Sequence, residues 1–165
     1  MHNLKTTIFF IIFFVTLTAY PDINFKLQEK IYDKFRELTK NLTVETISPE
    51  KVLNLNKEAY ILIDVRSSEE QDISMLPNSV TANNFEKQAG LYIGKKLIAY
   101  CTIGYRSGLF ANKHKKLKII NLKGGVLAWS HNEGKFMKNG KETKKVHTYS
   151  KKWNFLNKNY QAVYR

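Results

Sequence analysis

Cysteine is nearly absent from this chain. Its 165 residues include one, Cys101, so it forms no internal disulfide, carries no Cys-x2-Cys redox pair and builds no cysteine-rich zinc site. The four histidines (His2, His114, His131 and His147) are scattered, which argues against a histidine-based metal cluster. Neither a metal nor a cofactor is expected. Arginine is scarce as well: Arg36, Arg66, Arg106 and Arg165 are the only four among 27 basic residues. Nucleic-acid binders combine arginine with stacking aromatics on one face. A lysine surplus in a chain also rich in Asn and Ile is what nucleotide bias produces, and no nucleic-acid partner is expected.

Long apolar runs are missing everywhere except at the start. After Lys5, Thr6–Tyr20 runs without a charge until Pro21-Asp22 closes it. A basic start followed by about 10–15 apolar residues is the layout of a secretory signal, whereas a spanning helix needs about 20. Residues 1–20 are therefore expected to be a signal peptide, placing the remainder in the periplasm or outside the cell of a bacterial source. Leu17 suits poorly the small-residue position that cleavage after Ala19 would need, so an uncleaved N-terminal anchor is the alternative. No cysteine follows the run, which excludes a lipoprotein.

What is present is the composition of one folded domain: 43% hydrophobic and 25% charged residues in a length that suits a single core. Over 21–43, Leu27, Ile31, Phe35, Leu38 and Leu42 form one apolar stripe at helical spacing, predicting an amphipathic helix packed on the following domain. Beyond it, strands are expected at Val44–Ile47, Tyr60–Ile63, Ser79–Ala82, Lys96–Tyr100 and Lys118–Leu122. Helices are expected after Ser48-Pro49, over Ser107–Lys116 and from Val126 to Ser130. Strands alternating with helices imply a mostly parallel α/β sheet covered on both faces. In such sheets chemistry gathers where strands end, and Asp64 and Cys101 stand at two such ends.

Cys101-Thr102-Ile103-Gly104-Tyr105-Arg106-Ser107 is the candidate site. A loop curling from a strand into a helix turns backbone N–H groups inward, as a nest for an anion. The helix start and the Arg106 cation add positive potential, and together they favour a nucleophilic thiolate at Cys101. Gly104 meets the need for a positive φ at the tightest point.

Tyr100–Gly108 resembles the active-site loop of rhodanese-like domains. Ile63-Asp64-Val65-Arg66 is similar to that family's Asp-Val-Arg element, and Asn121-Leu122-Lys123-Gly124-Gly125-Val126-Leu127-Ala128-Trp129 to its C-terminal signature. The three stand in the family's order, and the resemblance covers 44–135. It implies a five-stranded parallel sheet flanked by helices, and sulfurtransferase chemistry. Cys101 would take a sulfur from a small donor such as thiosulfate or a persulfide and pass it to a thiol or cyanide-like acceptor. The backbone of Thr102, Ile103, Gly104, Tyr105, Arg106 and Ser107 would cradle the persulfide. Arg106 would attract the donor and stabilise the thiolate, with Asp64 and Arg66 as supports at the loop base. Phosphatases of the same fold use Cys-x5-Arg; here the count is Cys-x4-Arg, the smaller loop. The segment Ser74-Met75-Leu76-Pro77-Asn78-Ser79 departs from the family's Gly-His-Ile-Pro-Gly-Ala.

The remaining 136–165 form a basic, aromatic extension. Asn139-Gly140 signals a hairpin turn, and Val146–Tyr149 alternates like a strand. Of the net charge of +13, most lies here, beside Trp153, Phe155, Tyr160 and Tyr164. Two expectations stand: a docking surface for an acidic protein or an anionic membrane, or aromatics packed on the domain beneath solvated lysines. His147 is expected to be structural rather than a general base.

Overall fold

The computed structural model describes residues 23–164; the leader expected over 1–20 lies outside them. Among the described residues no helix is long and apolar enough to cross a membrane. The elements follow in chain order. Helix α1 spans Ile23–Thr39, β1 Thr46–Ile47, α2 Pro49–Leu53, β2 Tyr60–Asp64, α3 Ser68–Ile73, β3 Ser79–Thr81 and α4 Ala82–Gln88. Then come β4 at Lys96–Tyr100, α5 at Tyr105–Lys113, β5 at Ile120–Leu122 and α6 at Gly125–His131. The chain ends with β6 at Phe136–Lys138, β7 at Lys141–Thr143, β8 at Lys145–His147 and β9 at Gln161–Val163.

Strands β1 to β5 form one parallel sheet in the order β1-β5-β4-β2-β3, as the resemblance implies. Its centre is buried on both faces because Leu62 and Ile63 of β2 and Ile98 and Ala99 of β4 are apolar and wholly buried. Successive side chains alternate between faces. Leu62, Ile98 and Tyr100 meet Ile31, Phe35, Val126 and Trp129 on one side; Ile63 and Ala99 meet Phe85, Ala111 and Ile119 on the other. Helix α1 contributes its stripe to the first face, with Ile31 and Phe35 buried.

Local signals set the boundaries. Ser48 caps α2 with Pro49 in its first turn. Ser67 and Glu70 form a reciprocal capping box that opens α3, a helix that was not among those expected from the sequence. Helix α5 begins at Tyr105, two residues before the expected Ser107, because Gly104 adopts φ 104° and completes the turn by itself. In the extension, Asn139 and Gly140 both take positive φ in the β6–β7 hairpin. The strand expected over Val146–Tyr149 is shorter and earlier, β8. It pairs in parallel with β9, which the sequence did not suggest. Phe136, Val146 and Leu156 of the extension enter the main core, and Trp153, Phe155 and Tyr160 pack against it. Its seven lysines are exposed.

Candidate active site

Cys101 follows the last residue of β4, in the middle of the sheet, and is 1% exposed. The chain then turns through Thr102, Ile103 and Gly104 into α5. Gly104 N–H donates to Cys101 Sγ at 3.1 Å. The first bond within α5 runs from Gly108 N–H to Gly104 O. The N–H groups of Tyr105, Arg106 and Ser107 therefore have no acceptor inside the helix and belong to its N-terminal end, beside the cysteine.

The opposite side of the loop is tied down. The carbonyls of Cys101 and Thr102 accept the N–H groups of Val126 and Leu127, the first turn of α6, at 3.0 and 3.2 Å. That approach requires glycine at 125, where a Cβ would stand 2.2 Å from Cys101 O on a backbone with φ 53°. Gly104 is equally confined: a Cβ there would meet the Phe35 ring of α1 at 2.5 Å. Asn121, buried on β5, donates from Nδ2 to Gly104 O at 2.8 Å and accepts the Ser107 hydroxyl at 2.7 Å. With its carbonyls occupied from outside, the loop keeps its N–H groups for the sulfur.

Arg106 is gripped by a carboxylate from α3. Its Nη1 and Nη2 donate to Glu70 Oε2 and Oε1 at 2.7 and 2.8 Å. Thr102 Oγ1 donates to Glu70 Oε1 at 2.9 Å and stands 3.1 Å from Arg106 Nη2. Burial alone would raise the Glu70 carboxyl, but Arg106, the Ser67 N–H and the Thr102 hydroxyl together bring it down to about 2. Burial would likewise lower the Arg106 guanidinium; the bonds to Glu70 and the charge of Cys101 outweigh it and raise it. The cation expected to draw in an anionic donor is thus already matched by a carboxylate.

Asp64 and Arg66 lie one layer down, both buried. Arg66 Nη2 donates to Asp64 Oδ2 at 2.7 Å and to Ser74 O at 2.5 Å; Nε donates to Asp64 Oδ1 at 3.0 Å. The hydroxyl of Tyr100, the residue before the cysteine, donates to Asp64 Oδ2 at 2.6 Å and accepts Leu76 N–H at 3.1 Å. Burial opposes the charge on Arg66, and Asp64 more than offsets it, so its pKa is raised. Burial and the Asp64 charge push the Tyr100 hydroxyl well above its ordinary value. The pair is bonded to the end of β4 through Tyr100.

A pocket of about 300 Å³ opens over Cys101, lined by Leu38, Thr102, Ile103, Tyr105, Arg106, Tyr149 and Trp153. A larger cavity, about 730 Å³, lies between the Ser74–Ser79 segment and the β6–β7 hairpin and does not reach the cysteine. Sequence reasoning brought together Cys101, Arg106 and the loop. It missed Glu70, although Ser67-x-x-Glu70 is a legible capping box; it missed Asn121, Leu38, Tyr149 and Trp153 as site residues, and for these no local signal exists.

The family model for the rhodanese-like domain matches residues 48–132, just over half of the chain. The chain belongs to the rhodanese-like domain family. Solved structures are similar to this chain. A thiosulfate sulfurtransferase from Pseudomonas aeruginosa superposes with a TM-score of 0.51 at 13% identity, covering 66% of this chain and 23% of that one. A rhodanese-related protein from Thermoplasma volcanium matches at TM-score 0.49 and 21% identity, over 56% of this chain and 97% of its own. A Rhodopseudomonas palustris protein described as a possible tyrosine phosphatase matches at TM-score 0.49 and 19% identity, over 73% and 97%. Among curated protein sequences none matches. At 13% identity the Pseudomonas aeruginosa structure speaks to the fold alone.

Proposed function

We propose that this rhodanese-like protein is a sulfurtransferase that carries sulfur as a persulfide on Cys101. The observation that carries the reading is the loop itself: Gly104 N–H donates to Sγ at 3.1 Å while the Cys101 and Thr102 carbonyls are held away by α6. Such a cradle stabilises negative charge on sulfur, both on the thiolate and on the persulfide. The thiolate attacks the outer sulfur of the donor, a new S–S bond forms to Cys101, and the donor's own S–S bond breaks. With thiosulfate the electron pair leaves on sulfite. An acceptor nucleophile then takes the outer sulfur and returns Cys101 to the thiolate, two half-reactions of covalent catalysis. The Cys-x4-Arg count favours sulfur over the tetrahedral oxyanion handled by longer loops.

The test is the intact mass of the protein after exposure to thiosulfate or a thiosulfonate. It should gain the mass of one sulfur atom, lose it to cyanide as thiocyanate, and gain nothing in Cys101→Ala. No gain with any donor overturns the reading. A second reading, a sulfur carrier without turnover, draws on the depth of Cys101 at 1% exposure. It predicts one equivalent of transfer and no multiple turnovers with cyanide in excess.

A further inference from the structure

Three of the residues that line the Cys101 pocket come from outside the segment that the family model matches. Leu38 lies on α1, while Tyr149 and Trp153 belong to the extension; the match spans 48–132. With Tyr105 and Ile103 they surround the cysteine with aromatic and aliphatic surface.

This wall is built into the fold. Trp153 meets Phe155 edge-on with ring centroids 6.3 Å apart. Phe155 O accepts His131 Nε2–H of α6 at 2.8 Å, and Asn157 N–H donates to Ser130 Oγ at 3.1 Å. Tyr149 takes φ 69°, a left-handed conformation that is strained for a bulky residue. Its N–H donates to His147 Nδ1 at 3.0 Å, and its ring lies 5.6 Å from the Arg106 guanidinium.

The charge at the pocket points the same way. Of the lining residues only Arg106 is a cation, and Glu70 holds both its terminal nitrogens. A dianion entering here gives up hydration without meeting a net positive charge. An apolar group entering gives up unfavourable contact with water. A volume of about 300 Å³ is at the lower end of small-molecule sites, about 300–1,000 Å³.

We propose that the pocket takes a low-molecular-weight organic persulfide, R–S–SH, whose apolar R group lies against Leu38, Tyr149 and Trp153, in preference to the inorganic dianion thiosulfate. This rests on Cys101 as the sulfur acceptor. The Cys101 thiolate attacks the terminal sulfur of R–S–SH; the Cys–S–S bond forms and the donor S–S bond breaks. The electron pair leaves on R–S⁻, the proton stays on the transferred sulfur, and no oxidant is consumed.

Two thiosulfonates make the test, benzenethiosulfonate and methanethiosulfonate. Both are monoanions with the same R–SO2–S⁻ reacting group, and each releases a sulfinate. The rate of Cys101 persulfide formation is measured with each donor by intact mass, and their ratio is divided by the ratio for a small free thiol. The normalised preference for the phenyl donor should be about tenfold or more in the full chain. It should drop to about threefold or less in Trp153→Ala and in Tyr149→Gly. Melting temperature identifies the folded variants, and Leu38→Ala provides a third wall position. A normalised ratio near one, with the adduct still forming, overturns the inference and leaves Cys101 chemistry standing. So does a high ratio that survives in every folded wall variant. No adduct from either thiosulfonate or from thiosulfate overturns the sulfurtransferase reading itself.

Discussion

Glu70 holds Arg106 through both carboxylate oxygens, at 2.7 and 2.8 Å, and is held in turn by the Ser67 cap of α3. Arg106, in the first turn of α5, is thus positioned by a residue 36 places earlier in the chain. Arg106 and Thr102 converge on one carboxylate, so the loop and the start of α3 are locked together. The same contact that orders Arg106 removes its net charge from the pocket.

This predicts a distinct acid sensitivity. The Glu70 carboxyl lies at about 2 when folded, below its usual 4.5, so its stabilisation is complete above about pH 4.5 and lost as pH falls toward 2. Glu70→Gln removes that dependence. Urea unfolding at pH 7 should find the variant less stable by about 2–3 kcal/mol, with the difference shrinking toward pH 3. Parallel pH curves for the two proteins would show that Glu70 is not the group responsible.

The fold was legible because its signals are local. The apolar runs of β2 and β4 end in Asp64 and Cys101, and the glycines at 104 and 124–125 mark the turns into α5 and α6. The candidate loop was legible for the same reason: its cysteine, glycine and arginine are neighbours in sequence. The rest depends on partners brought together by the sheet. Asn121 reaches Gly104 from the adjacent strand, 17 positions away. Tyr149 stands in a short irregular segment and Trp153 ends a single 3-10 turn, Lys151–Trp153, where isolated aromatics have no periodicity to declare which way they face. Their approach to Cys101 follows from β8 pairing with β9, a contact that neither strand encodes alone.

Beneath the loop, Asp64 and Tyr100 should prove energetically coupled. Asp64→Asn leaves the fully buried Arg66 guanidinium without its counter-charge and should cost about 3–5 kcal/mol. Tyr100→Phe leaves Leu76 N–H without an acceptor and should cost about 1–3 kcal/mol. Because Tyr100→Phe deletes the donor of the 2.6 Å bond between them and Asp64→Asn removes the charge that strengthens it, the double variant should lose less than the sum. Urea denaturation of the four proteins gives the coupling directly; strict additivity would mean that the bond contributes nothing. Burial and Asp64 keep the Tyr100 hydroxyl protonated well past its ordinary range, so this network should not titrate under mildly alkaline conditions.

Tyr149 sets stability against function. Its φ of 69° is one that glycine adopts freely, whereas tyrosine is held there by β8, by the bond from its N–H to His147 and by the Arg106 guanidinium over its ring. The residue is 60% exposed, so truncation removes little buried surface. Tyr149→Gly should therefore melt at the same temperature as the parent or higher, the relieved strain of about 1 kcal/mol offsetting the greater freedom of an unfolded glycine. Tyr149→Ala loses the ring but keeps a Cβ in the left-handed region, and should melt below Tyr149→Gly. Differential scanning calorimetry of the three proteins checks the order. If alanine proved as stable as glycine, the backbone at 149 would carry no strain, and the ring over Arg106 would owe its place to side-chain packing alone.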